Sequence, residues 1–126
     1  MLSVCGCGGG SAVPATVRGR VLFQGRPLAG GTVVFTPHPD RGPAGKPAMA
    51  LIDYQGTFRL SADSSPYLVA GWYRVSLAGA PETWTIFPDA LRRPDRSGLE
   101  REVHAGRENV FEFHVEAGQN HHEPRP

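Results

Sequence analysis

The stretch VRGRVLFQGRPLAGGTVVF, residues 17 to 35, decides the fold class. Val17, Gly19, Val21 and Phe23 share one face of an extended chain, and Arg18, Arg20 and Leu22 share the other. A period of two belongs to a strand buried on one side. Gln24-Gly25-Arg26-Pro27 supplies turn chemistry. Glycine takes positive φ without steric cost, and proline fixes its own φ and donates no backbone hydrogen bond. Leu28 is expected to fold back onto the edge of the core. Gly30-Gly31 releases the chain into Thr32-Val33-Val34-Phe35, a β-branched and aromatic run ended by Pro37 and Pro39. The expectation is a β-hairpin.

The same grammar returns further along. Leu51-Ile52 and Thr57-Phe58-Arg59-Leu60 flank Asp53-Tyr54-Gln55-Gly56, a second expected hairpin. There the Asp53 carboxylate caps the turn and Gly56 supplies the left-handed residue. Phe58 and Leu60 face one way, Thr57 and Arg59 the other. Tyr73, Val75 and Leu77 form the buried set of the next strand. Phe111, Phe113 and Val115 do so in the last, with Glu112, His114 and Glu116 outward. Strands are expected near 17–24, 32–37, 47–53, 57–61, 71–79, 100–104 and 109–116. The Pro/Gly-rich segment 38–46 reads as a loop, and 88–98 as an exposed one. No stretch carries sustained helical periodicity and no solenoid repeat is present, so the chain reads as all-β.

A chain of 126 residues holds one domain with its ends. The expected division is a Gly/Ser-rich flexible leader at 1–16, the β domain at 17–116 and a disordered polar tail at 117–126. Net charge is +1, which excludes the strong field that nucleic acid or an anionic membrane would call for. Lys46 is the only lysine, and the many arginines read as base composition of a GC-rich genome, not as a binding patch. No apolar run is long enough to span a bilayer.

The order V-x-G-x-V, G-R-P-L-A-G, V-V-F, D-x-x-G-x-F-x-L and G-x-Y-x-V is similar to the carboxypeptidase regulatory-like domain. The later pieces are Phe87-Pro88-Asp89, Ser97-Gly98-Leu99 and Asn109-Val110-Phe111-Glu112-Phe113. With them the chain resembles, more narrowly, the short envelope lipoproteins of planctomycete-type bacteria. The resemblance covers about residues 17 to 116. It implies a single seven-stranded Greek-key β-sandwich, transthyretin-like or immunoglobulin-like. It also implies a structural or adhesive accessory role, with no catalytic residues to carry over.

Val4-Cys5-Gly6-Cys7 resembles a lipobox, in which a small residue precedes a thiol that accepts diacylglycerol. Only six residues precede Cys7, without a basic start or an apolar signal core. Tethering through Cys7 therefore carries the expectation that Met1 is a late start and that a signal lies upstream. The other reading is a floppy end with two free thiols. A metal site at Cys5-x-Cys7 lacks the further ligands that a tetrahedral shell needs.

Other candidates compete with structural roles. Glu112, His114 and Glu116 share a strand face and have ligand chemistry, yet alternating polar residues also describe a solvated outer face. His121-His122 reads as an ordinary tail pair, and His38 and His104 as loop and strand-edge residues. Tyr54, Tyr67, Trp72 and Trp84 have rings that stack on sugars, with Trp72 and Trp84 the stacking candidates. Packing against the sandwich edge is the competing role for both tryptophans. Serines at 61, 64, 65, 76 and 97 lack a nucleophile elbow, and no His-Asp spacing marks a triad. The hydroxyisourate hydrolases, transthyretin-like in architecture, close with a Tyr-Arg-Gly-Ser type end; this chain closes His-His-Glu-Pro-Arg-Pro. The expectation is therefore no enzyme, no cofactor and no metal. The partner is an envelope protein or polysaccharide, with no nucleic acid, and with the membrane reached only through a lipid anchor. A carbohydrate-binding module using exposed aromatics is the alternative.

Overall fold

The computed structural model describes residues 15–60, 68–80 and 87–116. Among them the regular structure is mostly β, arranged as two sheets. The strands are β1 (Thr16–Phe23), β2 (Arg26–Pro27), β3 (Thr32–Pro37), β4 (Ala48–Leu51), β5 (Thr57–Leu60), β6 (Gly71–Ala78), β7 (Leu99–Val103) and β8 (Glu108–Val115). In the first sheet β1 lies antiparallel to β2 and β5 on one side and parallel to β8 on the other. The second sheet runs β4-β3-β6-β7, all antiparallel.

The period-two faces meet in one core between the sheets. Phe35 of β3 packs against Phe58, Phe111 and Phe113 of the first sheet, with ring centroids 6.1 to 6.4 Å apart. Val17 and Val21, Val33, Leu60, Val75 and Leu77, Leu99 and Val115 are buried in the same core. Arg101 of β7 reaches across the side of the molecule, its guanidinium 4.6 Å over the Phe113 ring.

Neither expected hairpin is one. β3 pairs with β4 and β6, not with β1, and β5 pairs with β1, not with β4. The tight turn at Gln24-Gly25, with φ of 54° and 79°, joins β1 only to the two residues of β2. Leu28 to Gly31 then carries the chain to the other sheet, and Ile52 to Gly56 carries it back. Positive φ at Gly30 and Gly31 makes the first crossing, and a Cβ on Gly31 would sit 2.3 Å from the Ala78 carbonyl oxygen. The two crossings support each other: Ile52 N–H donates to Gly31 O, and Gly30 N–H to Asp53 O. Alternation reports which face a residue takes. It is silent on which strand lies alongside.

The loop expected to be exposed at 88–98 is exposed or half-exposed at all but two of its residues, Leu91 and Ser97. Asp89–Arg92 forms a short 3-10 turn that packs Leu91 against β6 with no exposure, and Ser97 is equally buried. The Ser97 hydroxyl donates to Val75 O at 2.5 Å and accepts the Leu99 N–H at 3.2 Å, so the buried polar group is satisfied on both counts. Among the described residues no helix is long and apolar enough to cross a membrane.

Candidate functional site

The outer face of the first sheet is built from three strands. Register sets two cross-strand rows on it: Arg59, Arg18 and Val110, then Thr57, Arg20 and Glu112. Between these rows Phe58, Gly19 and Phe111 belong to the inward set. Gly19 is needed there, because a Cβ would lie 2.4 Å from the Phe111 carbonyl oxygen and within 3 Å of the Phe58 ring. With Leu51 at the end of β4 and Asp53 just beyond, these residues line an open groove of about 680 Å³. Leu51 is 78% exposed and Val110 60%, so the groove offers apolar contact beside its charges.

The acids of the groove are committed. Glu112 accepts from Arg20 at 3.0 Å and lies 2.8 Å from His114 Nε2. The His114 contact first, and Arg20 second, hold the Glu112 carboxyl below its usual range. Asp53 Oδ1 accepts the N–H groups of Gln55 and Thr57, each at 2.9 Å, and its other oxygen takes the Thr57 hydroxyl. These bonds, the Thr57 hydroxyl foremost, lower the Asp53 pKa. Arg18 pairs through Nε with Glu108 at 3.0 Å. Arg59, directly opposite Arg18 in the ladder, has no ion-pair or hydrogen-bond partner among the described residues for its side chain. The groove therefore sets an arginine that has no ion-pair partner among the described residues directly beside another arginine.

The second sheet has a cluster gathered around one acid instead. Glu100 meets Arg41 at 2.7 Å, His38 Nε2 at 3.6 Å and Arg74 at 4.0 Å. His38 Nδ1 accepts the N–H groups of Asp40 and Arg41, which assigns its proton to Nε2, facing Glu100. The cluster pins the 38–46 loop to β7. Arg41 also lies 4.4 Å over the Trp72 ring, so one face of this half-buried indole is already covered.

The other sequence candidates scatter. Tyr54 stands 91% exposed at the tip of its turn. His104 Nε2 lies 3.8 Å from Glu102 at the end of β7, away from the Glu112–His114 pair on β8. Cys7, Tyr67, Trp84, His121 and His122 lie outside the described residues. Among the described residues no three metal-ligating side chains gather. Composition assigns the arginines to base usage, whereas register brings Arg18, Arg20 and Arg59 together. Their outward parity is legible in the alternation of β1 and β5; their adjacency depends on which strands pair. Comparison with protein-family models, with curated proteins and with solved structures finds no match.

Proposed function

We propose that this chain is a non-catalytic envelope module that works by protein interaction through the outer face of β1, β5 and β8. The carrying observation is the groove itself: exposed Leu51 and Val110 beside Arg59, which has no ion-pair partner among the described residues. Apolar side chains left in water beside a cation, along an open groove, are what a docking surface presents. The two sheets around one aromatic core support the finer reading, a seven-stranded Greek-key sandwich resembling the carboxypeptidase regulatory-like domain. Val4-Cys5-Gly6-Cys7 supports a surface lipoprotein, anchored by diacylglycerol on Cys7.

The test is photocrosslinking in the host cell, from a photoreactive residue replacing Val110. The expected product is a protein adduct in the membrane fraction, with a diacylglyceryl mass on Cys7. An adduct to polysaccharide would transfer the role to carbohydrate binding. An unmodified chain in the cytosol would remove the envelope assignment.

A further inference from the structure

The geometry points to Arg18 and Arg59 as a carboxylate clamp, whose occupant is an extended acidic segment of a partner polypeptide; this rests on reading the groove as a protein-docking surface. Two arginines directly opposite on neighbouring strands repel each other; Arg18 is paired with Glu108, while Arg59 has no ion-pair partner among the described residues. On the other sheet, by contrast, Arg41 and Arg74 share Glu100. A local rule broken without compensation marks a place shaped by a ligand.

The chemistry of the ligand follows from the donors. A guanidinium is planar and presents a rigid fork of N–H groups, which a carboxylate meets with two parallel bonds. The apolar contacts select what carries that carboxylate. Val110 lies in the same cross-strand row as Arg59 and Arg18, and Leu51 lines the groove from β4. An extended peptide places alternate side chains on one face about 6.8 Å apart, so a carboxylate and its apolar neighbours two residues away reach such a surface together. A sugar chain would want an exposed ring face. Phe58 is buried here, and the Phe111 ring stacks on Phe35 at 6.1 Å, so both are engaged with the core.

The test is a titration of the full, isotope-labelled chain with the blocked pentapeptide Val-Ser-Glu-Ser-Val, which puts one carboxylate and two apolar side chains on one face, followed by NMR at backbone and arginine Nε signals. Saturable shifts are expected at Arg18, Arg59 and Val110, weakening as salt is added. Arg59→Gln is expected to lower the affinity about five- to tenfold, and Arg59→Lys, which keeps the charge and loses the fork, by less. Equal binding of Val-Ser-Gln-Ser-Val, or unchanged affinity in Arg59→Gln, overturns the clamp and leaves the groove a peptide-docking surface. No shift with either peptide overturns the docking reading together with the clamp.

Discussion

The Tyr73 hydroxyl and the Val69 peptide unit bond each other twice. The hydroxyl donates to the Val69 carbonyl at 2.6 Å and accepts the Val69 N–H at 3.1 Å. The ring is 1% exposed and meets Phe35 edge-on at 6.0 Å, and burial raises the phenol pKa, which keeps the proton in place for donation. Tyr73→Phe keeps the packing and removes both bonds. The expected loss is about 0.5–1.5 kcal/mol of unfolding free energy, read by denaturant titration. An unchanged midpoint would show that the hydroxyl is dispensable.

Gly31 marks the crossing between sheets, with φ of 107° and the Ala78 carbonyl oxygen against the place a Cβ would take. Gly25 has φ of 79° and open space around it. Gly25→Ala should therefore carry backbone strain alone, about 1–2 kcal/mol. Gly31→Ala adds a steric clash with backbone and should cost clearly more. Equal destabilisation of the two variants would contradict the close approach of Gly31 to β6.

Acid stability should depend on Asp53 and Glu112. Both carboxyls are held below their ordinary values of 3.8 and 4.5, so each is more easily ionised in the folded chain than in the unfolded one. Their contribution is full above the unfolded pKa and is lost as pH falls through the lower folded pKa. The denaturation midpoint is expected to be level from neutral pH down to the ordinary carboxylate range and to fall below it. Asp53→Asn combined with Glu112→Gln should flatten that acid limb. An identical limb in the double variant would place the titration elsewhere.

Particular residues show how much of this was legible before the fold. The buried faces of β1, β5, β6 and β8 follow from alternation alone, and the Asp53 cap and positive-φ Gly56 follow from turn chemistry. Pairing does not follow, because a turn residue such as Gly25 or Gly56 bends the chain equally well within a sheet or between two. That ambiguity hid both crossings and, with them, the meeting of Arg18 and Arg59. Leu91 sits in a Pro/Asp/Arg-rich segment whose composition speaks for solvent, and most of that segment is exposed; the 3-10 turn carries this one apolar side chain inward. Asn109 is similar. Its amide nitrogen donates to Thr16 O, His104 O and Arg107 O, while its oxygen accepts the His104 N–H. The residue thus ties the β7–β8 turn to β1, a role visible only once three segments are brought together.

The most direct test of the Arg18–Arg59 relationship is the denaturation midpoint of Arg59→Glu at low salt, with and without the Val-Ser-Glu-Ser-Val peptide. Replacing one of two opposed cations by an anion turns repulsion into attraction. The free variant is expected to be more stable than the parent by about 0.2–1 kcal/mol. The peptide should stabilise the parent and leave the variant unmoved. A variant that is less stable than the parent, yet still stabilised by the peptide to the same extent, would contradict both the repulsive pair and the clamp.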